Sequence, residues 1–264
     1  MSHQVVLLHG MWCTGANWAR VREILEPRGY ACFSPTLPAH EPVPDQPLRV
    51  GRCSLRDYLG FAEDAIAAQG YTQRPVLVGH GMGALLAQQL AARVDALALV
   101  LLNPAPPAGG AGLRPLRFAA ISPWLATGTF WRRPYKPAFE RAARILFNGI
   151  AADRHRALYE TLVHESGRAV SEIALWWADL ARAAAIRSDD VRCPVYVVSC
   201  GEDRLIPDAV ARRVAARYAP VAQRHYPDRG HWVIDDEETE EMMHGICSWL
   251  RPIERREEAA ARAR

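Results

Sequence analysis

The sequence predicts an α/β protein, a mostly parallel sheet flanked by helices, with an inserted helical cap. Three observations predict it. Short apolar runs alternate with longer stretches of helical character. Half of the residues (50%) are hydrophobic, which suits a sheet buried on both faces. And about ninety residues without a clear strand separate the apolar run ending at Leu102 from the one opening at Pro194, far more than a simple crossover needs.

The first strand is expected near 4–8, where Val5, Val6, Leu7 and Leu8 form an unbroken apolar run. A helix near 15–27 and a strand near 30–34 follow. Thr36 to Pro47 is rich in proline and reads as a loop. A helix near 54–69 leads to a strand near 75–79. A helix rich in Ala, Leu and Gln near 82–93 comes next, and then a strand near 96–102. Beyond the cap the order is strand near 194–200, helix near 207–218, strand near 221–226, helix near 236–250. The acidic run Asp236 to Glu241 is expected to open that last helix, where negative charge suits the positive end of the dipole. The domain reading is a core of residues 1–103 and 190–252, a cap of 104–189 opened by the Pro/Gly-rich stretch Pro104 to Pro115, and a charged tail of 253–264. The tail mixes Arg, Glu and Ala and reads as a helical extension outside the chemistry.

Composition narrows the function classes. Net charge is only +3, so nucleic acid is not an implied partner. Lys136 is the single lysine among many arginines, which reads as coding bias. No stretch approaches the roughly 18 uninterrupted apolar residues of a membrane span, and the N-terminus enters the first strand with no signal segment, so a cytoplasmic location is expected. The six cysteines show no CxxC pairing and are expected to be reduced. No metal-ligand spacing is present. Gly79 to Gly83 is not a phosphate loop, because its third glycine is out of register. No cofactor is expected, and the oligomeric state is not legible.

Four motifs carry the chemistry. Val5 to Leu8 ends in His9-Gly10-Met11-Trp12. Val76 to Val78 ends in Gly79-His80-Gly81-Met82-Gly83, the form G-x-S-x-G of a nucleophile elbow with Gly81 in the place of the serine. Pro194 to Cys200 ends in Gly201-Glu202-Asp203. The last predicted strand is followed by Gly230-His231-Trp232. In this order, each at the end of an apolar strand, they make the chain resemble the α/β-hydrolases from about Val5 to about Leu250. The resemblance implies the α/β-hydrolase fold. It makes His231 the base, Asp203 the acid behind it, Gly81 the nucleophile position without an Oγ, and the Met11 and Met82 amides an oxyanion hole. His9, Gly10, Trp12, His80 and Trp232 are expected to contact substrate.

The chemistry explains the positions. A histidine base needs a buried carboxylate to fix its tautomer and to stabilise its imidazolium form. Two backbone N–H groups stabilise a developing oxyanion and need no side chain at position 81. Glycine adopts the strained backbone of an elbow easily, so the turn is expected to survive without the serine. Cys13, in the same loop as Met11, is either a packing residue or a substitute thiol nucleophile. Ten aromatic residues between Phe118 and Trp177 suggest an apolar pocket for an aromatic or polycyclic secondary metabolite. Arg114, Arg117, Arg132 and Arg133 either bind an anion or are solvated. His164-Glu165-Ser166 is not a triad, because adjacent residues of a helix do not face one another.

Three readings of Gly81 stay open. One is an enzyme that uses the His-Asp pair and oxyanion hole for non-covalent acid–base chemistry (lyase, cyclisation or C–C bond chemistry) on a hydrophobic carbonyl compound. Another is a serine esterase or thioesterase inactivated by a serine-to-glycine replacement. The third is a non-catalytic pseudo-hydrolase that binds a small molecule.

Overall fold

The computed structural model describes residues 3–110 and 129–262. Among them the strands are β1 (His3–Leu8), β2 (Tyr30–Phe33), β3 (Val76–His80), β4 (Ala98–Leu102), β5 (Val195–Cys200) and β6 (Val221–Tyr226). All pair in parallel, in the order β2-β1-β3-β4-β5-β6. Every residue of β3, β4 and β5 is buried, as expected of parallel strands covered on both faces. The edge strand β6 instead exposes Gln223, Arg224 and His225, whose polar side chains discourage pairing with another chain.

The helices are α1 (Ala19–Leu25), α2 (Gln46–Val50), α3 (Leu55–Ala68), α4 (Met82–Ala91), α5 (Phe139–Ile145), α6 (His155–Thr161), α7 (Gly167–Ala174), α8 (Asp208–Ala215) and α9 (Thr239–Arg262). Residues of α1 and α9 pack into one core cluster and those of α3, α4 and α8 into another, on the two sides of the sheet. Ser54 starts α3 through a reciprocal capping box with Asp57. The described part of the cap, residues 104–110 and 129–189, carries α5, α6 and α7, and its one β-bridge joins Tyr135 to Glu165.

The structure departs from the sequence reading in three places. The helix expected near 15–27 is broken by 3-10 turns at Gly15–Trp18 and Glu26–Arg28, the second carrying Pro27. The last helix opens at Thr239, not at Asp236, because the preceding acids are engaged elsewhere. Asp235 pairs with Arg154 at 3.0 Å and Asp236 with Arg229 at 2.5 Å. Finally, α9 runs unbroken across the boundary placed at 252/253, with Ile253 and Glu254 buried. No helix among the described residues is long and apolar enough to cross a membrane.

The sheet order decides where the site lies. The chain leaves β1 toward β2 on one side, while β3 and the later strands build the other, so β1 and β3 meet at the topological switch point. Their register pairs Leu8 with Gly79, which brings the loops after both strands together. Helix α4 packs directly behind them, and every one of its residues is buried. A Cβ on Gly83 would lie 2.0 Å from the Leu8 carbonyl oxygen, and one on Gly79 would lie 2.3 Å from that of Gly83. Both contacts are with backbone, which cannot swing aside. Gly83→Ala is therefore expected to destabilise the protein by about 3 kcal/mol, measured as a lowered urea midpoint at unchanged m-value.

Candidate active site

Gly81 sits at the turn between β3 and α4 with φ 54 and ψ −117, in the left-handed region that a side chain rarely adopts. Strand β4 holds this turn. The Gly81 amide donates to Leu102 O at 3.1 Å, and Gly81 O accepts from Ala84 N at 3.1 Å and Ala105 N at 3.0 Å. A Cβ built on Gly81 would lie 3.4 Å from His231 Nε2, an ordinary contact. The imidazole of His231 thus faces the side-chain direction of position 81.

His231 lies in the loop after β6, and Asp203 in the loop after β5. The Nδ1–H of His231 donates to Asp203 Oδ2 at 2.7 Å, and both side chains are nearly inaccessible. The other carboxylate oxygen accepts the amides of Leu205 at 2.8 Å and Ile206 at 2.7 Å. This arrangement fixes the tautomer and leaves the Nε2 lone pair toward Gly81.

The His231 backbone is fixed as firmly as its ring. Its carbonyl accepts from His80 Nε2 at 2.9 Å and from Asn103 Nδ2 at 3.1 Å. Asn103 also donates to Gly230 O at 3.2 Å. The His80 and His231 rings lie 4.5 Å apart. Burial, with the neighbouring His231 second, lowers the His80 pKa to about 3, so this ring stays neutral.

The Met11 and Met82 amides have no hydrogen-bond acceptor among the described residues. Met82 opens α4, where the helix dipole is positive. An apolar cavity of ≈ 60 Å³ adjoins them, room for a few water molecules. Gly10, Met11, Trp12, His80, Gly81, Met82, His231 and Trp232 all line it.

Other expected contacts fall outside. His9 is wholly buried behind the loop, and its Nε2 accepts the Leu37 amide at 3.0 Å. Its Nδ1–H donates to Gly10 O at 3.0 Å, so it braces backbone and does not line the cavity. Asp203 stands behind His231 and does not line the cavity, in the place the sequence reading gave the acid. Cys13 lines the cavity, but burial, with the Glu165 charge second, pushes its thiol well above the usual range. A thiol held protonated in this way lacks the thiolate that a substitute nucleophile would need.

The cavity is apolar, as expected, but the described cap aromatics do not supply its lining. The described cap contributes Ala105, Leu146, Val170, Ile173 and Ala174, not aromatic rings. Phe139 packs on Tyr159 and Phe130 on Trp131, while Phe147 packs on Trp232. Arg132 and Arg133 are exposed and away from the cavity. Phe118, Trp124, Arg114 and Arg117 lie outside the described residues. Glu165 turns away from His164 and pairs with His40 at 3.2 Å. Sequence reasoning missed Asn103, His40 and Glu165. Only Asn103 carried a signal, a polar residue closing a buried apolar strand.

The comparisons identify the family and the fold. The family model described as "Alpha/beta hydrolase family" matches residues 5–243. RutD of Escherichia coli O103:H2, a protein ascribed carbamate hydrolase activity, is 24% identical over 270 residues, covering 93% of this chain and 92% of its own. An Arabidopsis methylesterase superposes with a TM-score of 0.71 at 12% identity, over 94% of this chain and 100% of its own. A pyrethroid hydrolase from Sphingobium faniae JZ-2 does so with 0.67 at 19%, over 94% and 98%. At these identities the superpositions speak for the fold alone.

The two buried neutral histidines govern acid stability. His9 is lowered to about 3, by burial first and by His40 second, and His80 to about 3. Between pH 3 and 6.5 the unfolded chain binds these protons and the folded one does not, so stability is complete above 6.5 and falls on acidification. Each contributes a slope of roughly 1.4 kcal/mol per pH unit. At His40 burial opposes charging, but Glu165 outweighs it and the pKa is raised, which gives a slope of opposite sign only above 6.5. Urea midpoints from pH 4 to 7 are expected to rise with pH, and His9→Asn to reduce the slope by about one proton. An unchanged slope in that variant would contradict the assignment.

Proposed function

The chain belongs to the alpha/beta hydrolase family, and on that premise we propose that it is an enzyme performing acid–base chemistry without a covalent intermediate on a neutral, hydrophobic carbonyl compound. The observation that carries this reading is His231 Nε2 facing glycine, 3.4 Å from where a Cβ would stand, with its Asp203 partner fully in place. A relative ascribed carbamate hydrolysis and structural neighbours that are esterases fit a carbonyl substrate. The lining supports neutrality, since no arginine, lysine or carboxylate lines the cavity among the described residues.

In this mechanism His231 takes a proton from the substrate, or from a water beside Gly81, and Asp203 stabilises the imidazolium that forms. The Met11 and Met82 amides donate to the carbonyl oxygen as negative charge develops on it. His231 then returns the proton to the product. Lyase, ring-forming and hydrolytic steps share this sequence, and the lyase, cyclisation or C–C bond versions need no side-chain nucleophile. General acid–base catalysis contributes about 10²–10⁴-fold and one oxyanion donor about 10²–10³. We place the reaction in the cytoplasm, a reading supported by six unpaired cysteines, since a reducing compartment keeps thiols free.

A second reading is favoured by the ordinary 3.4 Å contact at position 81. A serine side chain has room there, although φ 54 strains any residue other than glycine, as in an esterase or thioesterase whose nucleophile has become glycine. Both readings are tested with an activated p-nitrophenyl ester. In the first, the native chain accelerates cleavage without a burst, and His231→Ala lowers the rate at least about 100-fold while ligand binding persists. Equal turnover by that variant sinks it. In the second, the native chain is nearly inert, and Gly81→Ser gains strong esterase activity and is labelled by a fluorophosphonate at position 81. If neither protein turns over and a bound metabolite is recovered unchanged, the chain is a non-catalytic binder.

A further inference from the structure

Trp12, directly after Met11, has φ 65, a conformation rare for so bulky a residue. The cap holds it there. The indole Nε1–H donates to Tyr135 O at 2.9 Å, and the Trp12 carbonyl accepts from Val163 N at 2.8 Å. The Trp12 and Tyr135 rings meet edge to face, 6.2 Å apart. Tyr135 is joined in turn to Glu165 by two backbone hydrogen bonds of 2.9 Å.

Glu165 is wholly buried, and its carboxylate reaches into the core. Oε1 accepts from the Tyr58 hydroxyl at 2.7 Å and from Ser166 N at 2.7 Å. Oε2 lies 3.2 Å from His40 Nε2. His40 Nδ1 lies 3.0 Å from Pro38 O. A carboxylate and a carbonyl only accept, so both ring nitrogens of His40 donate and the ring is an imidazolium. The pair is a buried ion pair between cap and core. Removing one partner of such a pair leaves an uncompensated charge.

A second arm reaches the same peptide from the other side. His40 N donates to Leu37 O at 3.0 Å, and Leu37 N donates to His9 Nε2. His9 Nδ1–H donates to Gly10 O. The Gly10 carbonyl and the Met11 N–H belong to one planar peptide group, so fixing the carbonyl aims the amide the opposite way.

We propose that Glu165 is a positioning residue for the Met11 amide, acting through Tyr135 and Trp12 on one side and through His40, Leu37 and His9 on the other. The cap segment around Tyr135 and Glu165 is then a fixed brace of the loop after β1. This inference rests on the reading that the Met11 amide faces the developing oxyanion, and its test is arranged to fail separately from that reading.

The chain has five methionines, so [¹⁵N]methionine labelling gives a sparse amide spectrum. Glu165→Gln, and Trp12→Phe, which keeps a ring but deletes the N–H, are expected to move or broaden the Met11 cross-peak. Those of Met242 and Met243 in α9 are expected to stay in place. A Met11 cross-peak unmoved in either folded variant overturns the proposal. The functional arm uses Gly81→Ser as the reporter background. Adding Glu165→Gln is expected to lower kcat for a p-nitrophenyl ester about 10- to 100-fold with KM within about twofold. A raised KM at unchanged kcat overturns it. If Gly81→Ser shows no esterase activity, it is the esterase reading of position 81 that fails, and the Met11 cross-peak alone decides the positioning.

Discussion

The site depends on the backbone contact between Gly83 and the end of β1. With 2.0 Å between a Cβ at Gly83 and the Leu8 carbonyl, only glycine lets α4 start this close to the sheet. That approach seats Met82, the first residue of the helix, beside Gly10 and Met11 at the end of the neighbouring strand. It also forces the turn at Gly81 into a positive φ, because a strand and a helix packed this tightly leave no room for a wider loop. The His231 and Asp203 loops, at the ends of β6 and β5, then reach the same point from across the sheet.

Around that point the molecule buries several polar groups, and each is neutral or paired. His80 avoids the cost of a buried charge by staying uncharged and donating to the His231 carbonyl. His40 is charged, but lies against Glu165, whose remaining acceptor sites are taken by Tyr58 and Ser166. The result is a rigid frame. The backbone of the base is held by Asn103 and His80, and the loop carrying Met11 is held by His9 and the cap.

The sheet was legible because buried parallel strands are written as continuous apolar runs, as in Val76 to Val78 and Leu99 to Leu102. The dyad was legible because Asp203 follows such a run just after a glycine, and His231 follows Gly230 in the loop after the last strand, although β6 itself is largely polar. Contacts between distant segments were not. His40 and Glu165 are 125 residues apart, and nothing in the sequence near either names the other. Which cap aromatics reach the cavity was not legible for a related reason. Composition counts rings, but the packing of Phe139 on Tyr159 or of Phe147 on Trp232 decides which surface reaches the cavity. Trp12 was expected beside substrate and does line the cavity, yet its hydrogen bonds go to the cap, a role that only the fold brings out.

The absence of a hydroxyl at position 81 bears on the reaction more than on the architecture. In enzymes that use a serine, its loss removes about 10⁶ in rate, and oxyanion hole and binding alone retain about 10³–10⁴ over water. What that loss leaves intact here is the placement of the base. His231 is held at Nδ1 by Asp203 and at its carbonyl by Asn103 and His80, and none of these contacts passes through position 81. A base fixed without help from a nucleophile keeps its lone pair for a proton on substrate or water. Multiplying a general base by one oxyanion donor gives about 10⁴–10⁷. That range serves an activated carbonyl or an acidic C–H, whose uncatalysed barrier is already low, and falls short for a stable amide. The proposed reaction therefore begins with a proton transfer at His231, on a substrate reactive enough to need no covalent step.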